Sequence, residues 1–478
     1  MADLSSTAVG GRIVECNDEF FAEALNLINP SPPVWKEDEY TDQGKWMDGW
    51  ETRRRRSEGH DWCVLRLGVA GQIRTVEVDT AFFTGNYPEQ FSLEGCGVGD
   101  DSRLDEAYWV DLIPKTDLQG DSKATFDVEE DGRITHIRLN IFPDGGVARL
   151  RVDGDPIPSM AEVCPDSGVV NLASLKAGTE AVDASDAHYS PPSNMLRLTD
   201  PVGMWDGWET KRRRGAGNDW VSFRLGLPGE VQEVVIDTRH FKGNAPGWVS
   251  ISLSDDGEKW AEAVHRHEVE ADSVNEIVLD KPAAGAWLKV DIHPDGGVAR
   301  VRALGTPNRS AAMDKRVGYL NSLLGQEATN FFHTACASTR WVAEMLAGRP
   351  YETADGVVSS AELAFVEMEE PDWLEAFAGH PRIGERGDDV ANREQAGASG
   401  ADGDTKAALA EVNREYEDKF GFTYIVFASG KSAREMLEIA RDRLGNNRNQ
   451  EVDIGAQQQR LITKARLRRM LCMGPADQ

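Results

Sequence analysis

The chain has 478 residues, 40% hydrophobic and 28% charged, with 13 Trp and 16 Phe. At about 150 residues per domain this gives roughly three domains and excludes both a single small core and a disordered chain. Lys plus Arg number 52 against 81 Asp plus Glu, a formal charge of −29 that repels nucleic acid and anionic membranes, so neither is an expected partner.

From the N-terminus, Met1 to Gly11 has neither a basic start nor an apolar core, and nowhere do about 18 apolar residues run together. The six cysteines (Cys16, Cys63, Cys96, Cys164, Cys336, Cys472) are scattered, with no C-x-x-C pair. Reduced thiols and a cytoplasmic location are expected.

Self-similarity governs the first two-thirds of the chain. Asp48-Gly49-Trp50-Glu51-Thr52-Arg53-Arg54-Arg55-Arg56 returns as Asp206-Gly207-Trp208-Glu209-Thr210-Lys211-Arg212-Arg213-Arg214, an offset of 158 that also carries Asp61-Trp62 onto Asp219-Trp220 and Gly85-Asn86 onto Gly243-Asn244. Pro143-Asp144-Gly145-Gly146-Val147-Ala148-Arg149 reappears as Pro294-Asp295-Gly296-Gly297-Val298-Ala299-Arg300. Short alternating runs such as Val64 to Leu67, Val76 to Val78 and Leu288 to Ile292 read as strands between Gly, Asn, Asp and Pro turns. The expected architecture is two tandem antiparallel β-sandwich or jelly-roll modules, residues 1–160 and 161–306.

Gly305 to Ser310 reads as a linker, after which the period changes. Leu320, Leu323, Leu324, Phe331, Val342, Met345 and Leu346 recur at helical steps, as do Met436, Leu437, Ile439, Ala440 and Leu444, predicting an all-α domain over 316–478. Ala396 to Asp404, rich in Gly, Ala and Asp, reads as a mobile loop.

In the duplicated half, Asp48, Glu51, Arg53, Arg54 and Arg55, with His60 and Asp61 behind them, gather acid/base groups and cations in an otherwise acidic chain. Asp206, Glu209, Arg212, Arg213 and Arg214 repeat the set, while His60 becomes Asn218. A guanidinium fork grips a carboxylate, and a neighbouring carboxyl group protonates a leaving nitrogen or activates water. The same run also fits a solvated strand edge over core tryptophans, and His60 a structural role. No H-E-x-x-H pattern occurs, and His265-Arg266-His267 has no acidic partner at an established spacing, so a metal stays unassigned.

These residues, with Ser31-Pro32-Pro33, Gly44-Lys45-Trp46-Met47, Phe83-Thr84-Gly85-Asn86 and both Pro-Asp-Gly-Gly-Val-Ala-Arg motifs, resemble allantoicase over about residues 1 to 306. The resemblance implies hydrolysis of allantoate to ureidoglycolate and urea. Either Arg53 to Arg55 or Arg212 to Arg214 would hold the carboxylate, Asp48, His60 and Asp206 would line the pocket, and Glu51 or Glu209 would assist departure of urea.

In the helical part, His380-Pro381-Arg382-Ile383-Gly384 follows an apolar helix at Asp372 to Ala378, where a turn begins. Arg393-Glu394-Gln395, Phe420 to Val426 and Ile462 to Leu467 come next. Singly, each fits a cap, a solvated charge, core or a basic helix face. In this order, and with Ser338-Thr339-Arg340-Trp341 and Arg349-Pro350, they resemble the decarboxylase of 2-oxo-4-hydroxy-4-carboxy-5-ureidoimidazoline (OHCU) over about residues 316 to 472. The resemblance implies a catalytic His380, Glu394 orienting the substrate ring, Arg466 binding the anion, and Gln395 and Ile425 as pocket neighbours. It implies no cofactor for the decarboxylase and (S)-allantoin as product.

Both halves therefore point to small ureides as partners and to a bifunctional enzyme of purine catabolism. A homo-oligomer is a further expectation, since helical decarboxylases of this type are often dimers. A ligand-binding jelly-roll protein with a non-catalytic helical assembly domain is the alternative from a different class.

Overall fold

The computed structural model describes residues 2–165, 167–383 and 402–474. The chain forms two units, one ending at Leu324 and the other beginning at Gly325.

In the first module, one strand, Asp61–Asp79, organises the sandwich. Its first half pairs antiparallel with Ile134–Phe142 and Arg12–Cys16, and its second half with Arg149–Pro156 and Lys123–Asp127. Gln90–Cys96 and Val110–Asp117 extend the path beyond Ile134–Phe142. The strand thus changes neighbours half-way along, as strands do that turn from one layer of a sandwich into the other. The second module repeats this with Asp219–Asp237 as the long strand between Arg300–Pro307 and Val274–His293. Alternate residues of the long strand, Leu65, Leu67, Val69 and Ile73, are buried in the core with Leu139, Ile141 and Trp50. Truncating Trp50, fully buried, would cost about 3–5 kcal/mol through the cavity left behind.

The sandwich-then-helices order is the one expected from the sequence, but three details differ. Val64 to Leu67 and Val76 to Val78 are parts of one strand, and Gly71 between them lies where a Cβ would come within 2.2 Å of the Asp155 carbonyl oxygen. It serves close packing of neighbouring backbones. Gly305 to Pro307, read as linker, completes the last strand of the second module, and Asn308 caps a helix, Arg309–Ser322, by accepting from the Ser310 amide at 2.9 Å. That helix stays with the first unit: the Arg133 amide donates to the Ser322 carbonyl at 2.7 Å, and Leu324 lies against Gly132. Of the Ala396 to Asp404 loop, only Asp402 to Asp404 is described, and there Asp402 caps the helix Gly403–Phe420.

The second unit is built from helices Gly325–Ala335, Thr339–Ala347, Ala354–Val366, Glu370–Ala378, Gly403–Phe420, Ala433–Arg443 and Arg448–Met470. Trp341 stacks on Phe365 with centroids 5.7 Å apart, and Phe365 on Trp373 at 5.4 Å, so one aromatic column ties three helices together. Among the described residues no helix is long and apolar enough to cross a membrane, and the six cysteines are free thiols.

Candidate active sites

In both modules the repeated motifs build one local frame. Trp50–Glu51 pairs with Gly146–Val147, and Trp208–Glu209 with Gly297–Val298. Alternation along these short strands sends each Trp into the core, its indole donating to a backbone carbonyl (Asp18 or Asp186) at 2.8 Å. The adjacent Glu is half-buried. Gly146 must lack a side chain, since a Cβ there would meet the Phe83 ring at 2.0 Å. Its amide donates to the Asn86 carbonyl at 2.7 Å, and the Asn86 side chain donates to Glu51 Oε1, also at 2.7 Å. The second module repeats both contacts: Gly297 to the Asn244 carbonyl at 2.9 Å, and Asn244 Nδ2 to Glu209 Oε1 at 2.7 Å. Burial pushes the Glu51 carboxyl up from its ordinary range, and the Asn86 hydrogen bond offsets only part of this.

The arginine run divides by partner. Arg53 bonds Asp18 through its backbone amide (2.9 Å) and its Nε (2.6 Å). Arg55 is drawn onto Asp61, whose side chain is 2% exposed, and Arg213 onto Asp219. Arg54, and its counterpart Arg212, stand exposed with no acidic partner among the described residues, as does Arg214.

Asp48 and Asp206 are held inside their modules. Arg149 reaches Asp48 Oδ2 at 2.9 Å, and Arg300 reaches Asp206 Oδ2 at 2.7 Å while Arg197 takes Oδ1. Burial alone would raise the Asp206 carboxyl, but the bonds from Arg300 and Arg197 outweigh it and hold it below the aspartate range.

His60 belongs to a separate hollow of about 550 Å³ lined by Trp62, Glu94, Arg138, Asn140 and Phe142 among others. Its Nε2 lies 3.2 Å from Asn140 Oδ1, and its ring lies 4.5 Å from that of Phe142. Neither Glu51 nor the arginine run lines this hollow, so residues adjacent in sequence are parted in space. In the second module Asn218 instead donates to Asp291 at 2.9 Å.

The modules also differ in an insertion ahead of the Asp-Gly-Trp-Glu motif. Arg149 Nε binds the Ser31 carbonyl as Arg300 Nε binds that of Thr199, which aligns the two positions. From there to the Asp-Gly-Trp-Glu motif the first module is ten residues longer, the extra chain carrying the hairpin Tyr40–Thr41 with Gly44–Lys45.

In the helical unit, Glu370–Ala378 ends at Gly379, where a Cβ would meet that of Ala337 at 2.5 Å. His380 follows at once, its amide donating to the Phe377 carbonyl at 3.1 Å and its ring Nε2 lying 2.8 Å from Gln459 Oε1. The next residues are anchored by a two-pronged Arg382–Glu417 pair at 2.9 and 2.7 Å and by Asn413 donating to the Ile383 carbonyl at 2.9 Å. Arg466, 8% exposed, donates to the Thr334 carbonyl at 3.2 Å. Ile425 is buried, its carbonyl taken by Arg443 at 2.7 Å within a buried Arg443–Glu451–Tyr416 network. Glu394 and Gln395 lie outside the described residues.

The sequence reading gave no role to Asn86, Asn244, Gln459 or Thr463. The two asparagines were visible as members of the repeat, and Gln459 and Thr463 stand seven and three residues before Arg466, on its side of one helix. Among the described residues no group of three or more His, Cys, Asp or Glu is placed to hold a metal ion, and His265 pairs with Glu262 at 2.9 Å.

Comparison with known families matches the allantoicase repeat to residues 2–157 and again to 170–308, together well over half of the chain. The chain belongs to the allantoicase family. Its C-terminal unit carries an OHCU decarboxylase domain, matched over residues 321–468. A probable allantoicase of Acinetobacter baylyi is 42% identical over 320 residues, covering 64% of this chain and 94% of that protein. One of Pseudomonas syringae pv. syringae is 42% identical over 316 residues, covering 63% and 95%. A crystal structure of allantoicase from Saccharomyces cerevisiae, 33% identical, superposes with a TM-score of 0.54 over 64% of this chain and 92% of that one. The allantoicase repeats and the decarboxylase domain make this chain a bifunctional enzyme of allantoin and purine catabolism.

Proposed function

We propose that the allantoicase half hydrolyses allantoate to ureidoglycolate and urea at the Glu51–Asn86 centre of the first module, the Glu209–Asn244 centre of the second, or both. The helical unit would decarboxylate OHCU to (S)-allantoin at His380. The observation that carries the first assignment is the repeated pairing of a half-buried carboxyl with an asparagine amide, three residues before an exposed arginine that has no acidic partner among the described residues.

Allantoate bears a carboxylate and two ureido groups on one carbon. In this reading Arg54 or Arg212 grips the carboxylate with its fork. Glu51, or Glu209, acts as the general acid, giving a proton to one ureido nitrogen as the carbon–nitrogen bond breaks and urea leaves, while the other ureido nitrogen supplies electrons to the carbon. Water then adds there, its hydroxyl completing ureidoglycolate and its second proton returning to the glutamate. Asp48, Asp206, Arg55 and Arg213 support the frame through the ion pairs described above. His60, which lines a separate hollow with Asn140 and Phe142, is given no part in this step. Urea release by Glu51→Gln and Glu209→Gln enzymes tests the acid role: a loss of about 10²–10⁴ in one or both is expected, and full activity in both would sink it.

In the helical unit, Arg466 would hold the departing carboxylate group and His380 would hydrogen-bond the substrate and steer the proton. The carbon–carboxylate bond breaks, its electron pair passes to the ring imine, and one proton is taken at carbon, releasing carbon dioxide and fixing the configuration of allantoin. Glu394 and Gln395 keep their proposed roles as ring-orienting and pocket residues, and Ile425 its own as a pocket residue.

The substrates are small ureides. A reducing, cytoplasmic setting is supported by the six free thiols. Self-association is proposed from the likeness of the helical unit to dimeric decarboxylases, and sedimentation of the purified chain checks it.

A further inference from the structure

Helix Arg448–Met470 buries a polar stripe. Gln459 and Thr463 are 0% exposed and Arg466 is 8% exposed, at positions i, i+4 and i+7 of one face. A buried amide or hydroxyl without partners is destabilising, so such a stripe persists where each group is engaged. Here the partners form a chain. Gln459 Nε2 donates to Thr463 Oγ1 at 3.1 Å, the Thr463 hydroxyl meets the buried Cys336 thiol, and Gln459 Oε1 faces His380 Nε2 at 2.8 Å.

The direction of the last bond follows from the first. With its amide nitrogen turned to Thr463, Gln459 offers His380 only a carbonyl oxygen, which has no proton to give. The ring nitrogen facing it must therefore carry the hydrogen, and in a neutral imidazole the other nitrogen then bears the lone pair. We propose that Gln459 is a positioning residue that holds His380 as its Nε2–H tautomer, so that Nδ1 is the atom through which His380 accepts and returns a proton. Thr463 accepts from the Gln459 amide, and the proton of its own hydroxyl is left for the Cys336 sulfur. Gln459 touches no substrate in this account. The proposal rests on the reading of His380 as the acid/base group of the helical unit, and it adds which nitrogen acts and what selects it.

The test uses the full chain with ¹⁵N-labelled histidine. In the wild type the His380 signal, measured without substrate, should show a protonated, hydrogen-bonded Nε2 and an unprotonated Nδ1. Gln459→Met keeps length and removes the acceptor: that hydrogen-bonded signal should be lost, and kcat for OHCU should fall about tenfold with KM within about twofold, short of the 10²–10⁴ expected for loss of the acid/base group itself. Gln459→Glu restores an acceptor and should recover the Nε2–H signature. If the Met variant does not fold, Thr463→Val should give the same loss of signature in smaller measure. A wild-type His380 protonated on Nδ1, or a folded Gln459→Met enzyme with wild-type kcat, would overturn the proposal. Absence of OHCU turnover in the wild type would overturn the reading beneath it, and the substrate-free ring signal tells that failure from a wrong hydrogen-bond assignment.

Discussion

Arg54 stands in solvent without an acidic partner among the described residues, while Arg55, the next residue, is drawn onto the buried carboxylate of Asp61. Two adjacent guanidinium groups of one run thus differ in place, one exposed and one holding the module together. The pattern recurs at Arg212 and Arg213.

Arg54→Ala is expected to raise KM for allantoate, or to do so in combination with Arg212→Ala if both modules act, with the unfolding midpoint unchanged. Arg55→Ala should instead destabilise the first unit by about 3 kcal/mol, because it leaves Asp61 buried without its counter-charge. Steady-state kinetics and thermal unfolding on the two variants separate these effects.

The pH profile of urea release should carry the mark of Glu51. A general acid works in its protonated form, so activity falls as pH rises through a carboxyl pKa that burial has pushed up. The Asn86 hydrogen bond favours the carboxylate. Asn86→Ala should therefore move the alkaline limb of kcat/KM to higher pH, provided the first module is active.

Asp206 gives a stability prediction of the opposite sense. Its carboxyl lies below the ordinary value near 3.9, so its contribution is present above that value and is lost as pH falls through the depressed one. Arg300→Ala should cost about 3–5 kcal/mol at pH 7, both partners being 4% exposed. The gap from wild type in denaturant titrations should narrow below about pH 4.

For the helical unit, His380→Ala is expected to abolish stereospecific formation of allantoin, followed by optical rotation. Arg466→Gln should raise KM for OHCU, its guanidinium being held ready by Thr334. Retention of the wild-type rate by the histidine variant would remove the assignment.

Much of the fold was legible because duplication wrote it twice: tryptophans that fill equivalent cores, and Pro-Asp-Gly-Gly turns that must pass close to Phe83 or Phe241, recur almost unchanged. The strand lengths were not legible. Gly71 carries the same local signal whether it turns the chain or lets two backbones approach, and only the neighbour, Asp155, decides. The place of His380, in the turn after an apolar helix, was legible because Glu370–Ala378 precedes it directly. Its partner Gln459 was not, since polar residues occupy both the buried and the exposed faces of Arg448–Met470 and nothing local marks which face looks inward. Likewise the split between Glu51 and His60 depends on the far-off Asn86 and Asn140.

The division of one polypeptide into a sandwich unit and a helical unit has an effect on supply. Every translated copy delivers both catalysts in a fixed one-to-one ratio, so no change in expression of this gene alters their balance. Only turnover rates remain to adjust how fast allantoin is made relative to how fast allantoate is consumed.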